Sequence, residues 1–271
     1  HCTIKDLNYQ LMKLCRDNRD GGFSTQATRS RILDLIANHL LELGFRRMQV
    51  NSLKPKHIDA LVAHWQDQGI GVGTLKKDNS IYGIGQRTYV AKESKAQALD
   101  ATKLSGISDC HVRLSIRLQA AFGLRREESI KFSPSYAIKD DHIQLKSSWA
   151  KGGRARTVPI RNDEQRLLLE ETKTMAKGGS LIPPDRNYVQ QLHRYERQLR
   201  DVGMHKLHGL RHGYAQHRYF ELTGWKAPAA GGPAASSLGP EQRALDLKAR
   251  VQISNELGHN REAISAVYLG R

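Results

Sequence analysis

The chain has 271 residues, of which 39% are hydrophobic and 26% are charged, and its formal net charge is +16. This length allows two globular domains, and the lack of any long apolar run in the sequence excludes a membrane-spanning segment. The excess of Lys and Arg is +6 over residues 1–106 and +10 over 107–271, which predicts a polyanionic partner that contacts both parts of the chain.

The first part of the chain shows helical periodicity. Residues 4–18 carry apolar side chains at helical spacing, a second such segment follows Gly21 and Gly22, and a third begins at Pro55. The pattern predicts a small all-helical unit over residues 1–95, with Lys and Arg on its outer faces. The alternative interpretation is a plain helical bundle whose charges are simply solvated.

A linker is predicted over residues 96–106, and a second domain over 107–271. This domain opens with a helix that ends at Gly123, and a further helix follows at once. The alternation of apolar and polar residues over 142–160 predicts a β-hairpin, and helices are expected near 162–176 and 187–202. The fold class is therefore mainly α with a small β-hairpin or sheet (α+β).

Residues 223–240 are rich in Ala, Gly, Pro and Ser, which predicts a mobile surface insertion before a last helical stretch. Only three cysteines occur, and none has CxxC spacing, so a disulfide scaffold or a zinc site is not expected. We therefore expect a protein of the reducing cytoplasm.

The run His208-Gly209-Leu210-Arg211-His212 falls on a predicted helix. His208, Arg211 and His212 share one face, because residues three and four apart are neighbours on a helix. A guanidinium binds phosphate with two parallel hydrogen bonds, so the functional interpretation is a phosphate-binding helix. The alternative is a solvated basic face. A histidine metal cluster is less favoured, because no carboxylate or thiol is interleaved, and no metal is predicted.

Four motifs in chain order resemble those of the tyrosine recombinases, the integrase family of phages and mobile elements. They read G-L-R-R-E-E at 123–128, K-G-G-R-A-R-T-V-P at 151–159, H-G-L-R-H at 208–212, and L-G-H-N at 257–260 followed by Tyr268. The resemblance covers 107–271 strongly. Over the first 95 residues, only the helical, basic character agrees with that family's core-binding domain. The implied architecture is such a domain followed by a tyrosine-recombinase catalytic domain.

The resemblance implies a role for each matching residue. Tyr268 would attack a DNA phosphodiester and form a 3′-phosphotyrosine with a free 5′-hydroxyl. Arg125 and Arg211 would bind the non-bridging oxygens, and Lys151 would protonate the leaving 5′-oxygen. His208 would assist proton transfer.

The resemblance also implies that His259 hydrogen-bonds the phosphate, while Glu128 and His212 support the site. Basic residues in or near the motifs and in the first domain are predicted to contact DNA: Lys76, Lys77, Arg126, Arg154 and Arg156. Fixed cations aimed at the equatorial oxygens stabilise the charge that develops there, so no cofactor is expected.

Each residue also has an ordinary structural interpretation. Tyr268 fits an amphipathic helix, Arg125 and Glu128 fit an i,i+3 ion pair, and His259 fits the position after a helix-capping glycine. The occurrence of all four motifs in one family's order favours the functional interpretation.

The predicted function is a site-specific DNA recombinase or integrase that acts as a homotetramer on two double-stranded DNA sites, in the cytoplasm with the nucleoid and away from membranes. The alternatives are a strand transferase resembling a type IB topoisomerase, and a basic DNA-binding protein without catalysis. The length of the 223–240 segment suggests a further hypothesis, in which its motion gates the access of Tyr268 to the site.

Overall fold

The computed structural model describes residues 5–70, 89–149, 154–259 and 261–271. The chain divides into two compact units, His1–Arg87 and Thr88–Arg271. The predicted assignment of a core-binding domain, a linker and a catalytic domain remains a functional prediction.

The described part of the first unit contains three α-helices: α1 (Lys5–Asp17), α2 (Phe23–Glu42) and α3 (Pro55–Asp67). Proline at the first position of α3 suits a helix start, because that position needs no backbone donor. The helices pack through a small apolar core that includes Leu11, Leu40 and Leu61.

The second unit is also mainly helical. Its described α-helices and strands, in chain order, are α4 (Ala101–Ser105), α5 (Cys110–Phe122), α6 (Arg126–Ile130), α7 (Pro134–Ala137), β1 (His142–Leu145), β2 (Arg156–Pro159), α8 (Asp163–Ala176), α9 (Tyr188–Asp201), α10 (His208–Thr223), α11 (Pro240–Glu256) and α12 (Ala266–Leu269). The two strands pair antiparallel, with Ile143 opposite Val158 and Leu145 opposite Arg156. The predicted fold class is confirmed.

Local chemistry sets the ends of α5. The Asp109 carboxylate accepts hydrogen bonds from the backbone N–H groups of His111 and Val112, so the helix begins at Cys110 rather than at the predicted residue 107. Gly123 ends it with φ +62°, a conformation that favours glycine. This end was predicted.

A large apolar core lies beneath the hairpin and between α5, α8, α10 and α11. It includes Phe122, Tyr214 and Leu257, and Tyr268 of α12 belongs to it. Packing in this core therefore holds Tyr268, the predicted nucleophile, in contact with α10.

The segment between α10 and α11 lies partly at the surface, as predicted, with Gly231, Pro233 and Ser236 exposed, but it is also anchored by buried residues, which the prediction of a mobile insertion did not include. Ala227 and Leu238 are 1% and 4% exposed, and the segment forms short 3₁₀ turns at Pro228–Ala230 and Ala235–Ser237. Its small side chains allow close backbone packing. A Cβ on Gly232 would lie 1.7 Å from the Lys226 carbonyl oxygen. Composition suggested flexibility, whereas the small residues serve as packing surface.

The extended residues before α4 are bonded into the second unit. The Ala91 N–H donates to the Ala266 carbonyl at 2.9 Å, and the Gln97 N–H donates to the Gly209 carbonyl at 2.9 Å. The chain thus contacts both α12 and the start of α10 before α4 begins. None of the helices in the described ranges combines the length and apolar character needed to cross a membrane.

Candidate active site

Helix α10 supplies three side chains of the predicted site. Arg211 and His212 are buried, at 1% and 4% exposure, while His208 lies exposed at the start of the helix. Leu210 and Tyr214 are buried on the same helix and hold it against the core. The 3.6-residue repeat therefore directs Arg211 inward.

The Arg211 guanidinium is held by two backbone carbonyls and contacts two side chains, those of Tyr268 and His259, the latter at 3.5 Å from Nη2 to Nε2. Its Nη1 donates to the Gly123 carbonyl at the end of α5, and its Nη2 donates to the Leu257 carbonyl at the end of α11. Its Nε donates to the Tyr268 hydroxyl at 3.2 Å. Helix C-termini carry partial negative charge, which suits a buried cation.

Tyr268 lies on the short helix α12 and is 5% exposed. Its hydroxyl is 3.4 Å from Nε2 of His259, and its ring centroid is 4.7 Å from that of His212. The Tyr268 carbonyl accepts a hydrogen bond from the Gln216 amide at 2.9 Å. The phenol oxygen therefore lies between a guanidinium and an imidazole.

Glu128 organises two arginines beside this group. Its carboxylate accepts hydrogen bonds from Arg156 Nη1 and Nη2 at 2.6 and 2.7 Å, and from Arg125 Nη1 at 2.9 Å. It also accepts from the Arg125 backbone N–H at 2.7 Å, which caps α6. Burial alone would raise the pKa of Glu128, but the bonds and charge of Arg156, aided by Arg125, lower it to about 2. Glu128 therefore stays ionised.

The imidazoles are poor bases in this surrounding. Burial, with the charges of Arg211 and Arg125, lowers the pKa of His259 to about 4. Burial, with the influence of His208 and Lys95, lowers the pKa of His212 to about 4. Partial loss of hydration and the Arg211 charge also lower the pKa of His208. Neutral imidazoles next to fixed guanidiniums form a site that an anion would stabilise.

His212 has a further distinguishing property. Its Nδ1 is buried and has no hydrogen-bond partner among the described residues. Its ring contacts those of His208 and Tyr268, at centroid distances of 5.3 and 4.7 Å, and the three rings form one cluster. The geometry supports the predicted supporting role through ring packing.

The structure brings most of the predicted site residues together. Arg125 lies near enough for its charge to lower the pKa values of His208 and His259. The assembled group comprises Arg125, Glu128, His208, Arg211, His212, His259 and Tyr268. Lys151, Lys76 and Lys77 lie outside the described residues.

The residues predicted to contact DNA differ in their surroundings. Arg154 is exposed, and Arg126 is half-exposed and pairs with Glu196 at 2.8 Å. Arg156 has a side chain that is only 6% exposed, and it donates to Glu128 and to the Glu256 carbonyl. Its charge is already compensated by the Glu128 carboxylate, which favours a positioning role over the predicted DNA contact.

Sequence reasoning missed several supports of the site. The Gln216 amide donates a hydrogen bond to the Tyr268 carbonyl. Gly258, at φ +72°, leaves room for the Arg156 side chain, because a Cβ at position 258 would lie 2.9 Å from Arg156 Cδ. The glycine before His259 was visible in the L-G-H-N motif. No sequence signal marks Gln216, because its role depends on where α12 packs.

One group in the first unit has the residue types of a metal site. Ligand atoms of His39, Glu42 and His64 lie within 4.8 Å of one another. The Trp65 indole N–H, however, donates to Nδ1 of His39 at 2.7 Å. The neutral His39 ring must then carry its proton on Nε2, which leaves no lone pair for a metal. The arrangement does not fit a metal ion.

Two family models match the sequence: "Phage integrase, N-terminal" over residues 4–87, and "Integrase" over residues 84–217. No curated protein matches the chain.

Solved structures with a similar fold cover nearly the whole chain. A lambda integrase dimer bound to a COC′ core site is similar with a TM-score of 0.60 and 13% identity, over 97% of this chain and 76% of that chain. A lambda integrase tetramer bound to a Holliday junction is similar with a TM-score of 0.57 and 14% identity, over 96% of this chain and 76% of that chain.

Two further proteins share this fold. The XerH site-specific recombinase bound to its difH substrate gives a TM-score of 0.53 and 16% identity, over 97% of this chain and 82% of that chain. The Tn1549 transposon integrase in complex with circular intermediate DNA gives a TM-score of 0.56 and 13% identity, over 100% of this chain and 96% of that chain. At these identities the likeness concerns the fold.

Proposed function

The chain belongs to the integrase family of tyrosine recombinases, and we propose that it is a site-specific recombinase that cleaves and rejoins DNA through a 3′-phosphotyrosine intermediate. The observation that carries the proposal is the buried contact between Arg211 and the Tyr268 hydroxyl, beside His259. The contacts of the phenol with a guanidinium and an imidazole support an attack by Tyr268 on a phosphate that Arg211 would bind.

The reaction proceeds by exchange of one ester for another. The Tyr268 oxygen forms a bond to the scissile phosphorus while the bond from phosphorus to the 5′-oxygen breaks, and rejoining reverses this exchange. Arg125 and Arg211 bind the non-bridging oxygens, where negative charge develops. Lys151 donates the proton that the leaving 5′-oxygen takes up.

The phenol must lose its proton during attack. The His259 and His208 ring centroids lie at similar distances from that of Tyr268, 6.0 and 6.1 Å. Of these two described imidazoles, only His259 has a ring nitrogen within hydrogen-bond distance of the Tyr268 hydroxyl, its Nε2 at 3.4 Å. His259 is therefore the nearer acceptor, and His208 at the exposed edge assists. The negative phosphate would raise the low pKa of His259, because an opposite charge favours the protonated imidazole.

The substrate we propose is double-stranded DNA, bound by both basic parts of the chain as a homotetramer on two sites. The tetramer of lambda integrase on a Holliday junction, which shares the fold, supports this assembly. Phosphate contacts should dominate affinity, so binding should weaken steeply with salt. A DNA substrate also implies action at the nucleoid.

The test is to trap the covalent intermediate. A pool of short duplexes, randomised in sequence and nicked near the centre, would lose the short fragment after cleavage and so retain the protein. Wild type and Tyr188→Phe, an altered tyrosine outside the site, should form an adduct that maps to Tyr268, and Tyr268→Phe should form none. An adduct on another residue, or none with wild type, would overturn the proposal.

A further inference from the structure

The helix that carries Tyr268 is too short to define its own position. Helix α12 has four residues, and most of its placement must come from contacts with other segments. Three hydrogen bonds of 2.9 Å do this. Ala91 N–H donates to the Ala266 carbonyl, Gln216 to the Tyr268 carbonyl, and Arg250 Nη1 to the Gly270 carbonyl.

Arg250 differs from the other two because it is a fully buried charge, 1% exposed, on α11. Its Nε donates to both carboxylate oxygens of Asp246, at 2.8 and 2.9 Å. The Tyr219 hydroxyl donates to the same carboxylate, and Trp225 Nε1 donates to Tyr219 at 3.2 Å. The direction of the guanidinium is therefore set by groups from α10, α11 and the segment between them.

Gly270 is held tightly where Arg250 binds it. Its φ is +74°, and a Cβ at this position would lie 2.8 Å from the Ala229 nitrogen and 2.9 Å from the Ala91 carbonyl oxygen. The residue thus occupies a slot between two backbone segments. A shift of Gly270 would also move Tyr268, two residues earlier.

We propose that Arg250 is a positioning residue for Tyr268, and that its bond to the Gly270 carbonyl sets where the tyrosine hydroxyl lies relative to Arg211. A buried ion pair by itself is weak support for stability, since desolvation offsets the attraction. The Arg250–Asp246 pair instead directs one donor at the nucleophile segment. This inference rests on the proposed recombinase function.

The experiment uses Arg250→Lys and Arg250→Met in the full-length chain, with Arg186→Met as the matched control. Lysine can keep a charge opposite Asp246 but cannot reproduce the fork that also reaches Gly270. Arg186 pairs with Asp109 at 2.9 Å, away from α12, so its loss also removes an ion pair. The first-order rate of adduct formation at saturating protein, DNA affinity, thermal unfolding and amide exchange of 262–271 are measured.

Both Arg250 variants should cleave roughly tenfold to a hundredfold more slowly, because small misplacements of a reacting group have effects of this size. DNA affinity should stay unchanged, and amide exchange in 262–271 should accelerate. Arg186→Met should match wild type in cleavage and exchange. Folded Arg250 variants with wild-type cleavage would overturn the proposal.

Two other outcomes are also decisive. If neither Arg250 variant folds cooperatively, Arg250 acts on global stability and the positioning proposal is overturned. If wild type forms no adduct, the proposed function fails. Independently of that result, amide exchange of residues 262–271 that is the same in Arg250→Lys as in wild type would refute the role of the Arg250–Gly270 contact in holding this segment.

Discussion

Arg211 and Tyr268 lie 57 residues apart on different helices, and the arginine Nε donates a hydrogen bond to the tyrosine hydroxyl at 3.2 Å. Both side chains are almost fully buried. The group proposed to bind the phosphate and the group proposed to attack it are thus part of one bonded cluster. Their separation is defined before DNA arrives, which lowers the reorganisation needed at the moment of reaction.

Replacing Arg211 with Lys should lower the adduct-formation rate by roughly 10²–10³. A lysine cannot donate in one plane to two carbonyls and the Tyr268 hydroxyl. Arg113→Lys is the control, since Arg113 donates to the Ile107 carbonyl in another part of the unit and its change should leave the rate within about twofold. A rate within tenfold of wild type for folded Arg211→Lys would contradict the assignment.

Replacing Glu128 with Gln should destabilise the folded chain by about 3–5 kcal/mol, because it leaves the Arg156 guanidinium buried without its anion. Glu196→Gln removes the anion of the half-exposed Arg126 pair, and it should cost about 0–1 kcal/mol. Urea denaturation measures both. Equal losses would show that the Glu128 network contributes no more than a surface pair.

The folded protein should lose stability as pH falls from 7 to 5. The pKa values of His212 and His259 are about 4, below the ordinary 6.5, so near pH 5 the unfolded chain binds protons that the folded chain does not. Stability therefore falls as pH drops below about 6.5 and levels off near pH 4, by roughly 3 kcal/mol per histidine over the whole interval.

Denaturation of His212→Gln at pH 7 and pH 5 checks this effect of pH. The variant should show a smaller loss than wild type, whereas His217→Gln, which alters an exposed histidine of the same helix, should keep most of the wild-type loss. If His212→Gln and wild type respond equally, the His212 imidazole is not held neutral by its surroundings.

Alanine substitutions at two helix-ending glycines distinguish the cost of backbone strain from the cost of a steric clash. Gly224 ends α10 at φ +85° with nothing within 4 Å of an added Cβ, so Gly224→Ala should cost about 1 kcal/mol. Gly123 has φ +62°, but its Cβ would lie 2.6 Å from the Tyr214 ring. Gly123→Ala should cost about 1–3 kcal/mol more.

Gly123→Ala should also slow adduct formation, because the Gly123 carbonyl holds Arg211. Thermal unfolding and the cleavage rate measure the two effects, and Gly224→Ala should leave the rate unchanged. Identical behaviour of the two variants would mean that the Tyr214 ring yields without moving the backbone.

The shared face of His208, Arg211 and His212 was predictable, because spacings of three and four residues specify neighbours on a helix. The closeness of Arg211 to Tyr268 was expected only through the family resemblance. Nothing local to either residue encodes it. Their contact depends on how α12 packs on α10, which single-sequence periodicity does not reveal.

The pairing of Glu128 with Arg156 was not predicted, because it depends on the register of the hairpin. Arg156 of β2 lies opposite Leu145 of β1, and in this register the Arg156 side chain reaches Glu128 of α6. The 223–240 segment was misjudged for a different reason. Composition indicates the average freedom of small residues, whereas Ala227 packs in the large apolar core and Leu238 is 4% exposed.

Two of the bonds to Arg211 come from peptide carbonyls at Gly123 and Leu257, and peptide carbonyls exist whichever amino acid is encoded. Leu257 can therefore be replaced by another apolar residue without removing a hydrogen-bond acceptor of the Arg211 guanidinium. Laboratory evolution of new target preferences could exchange Leu257 only for apolar residues of similar volume, because the side chain is fully buried in the core although the cation is bound by the main chain.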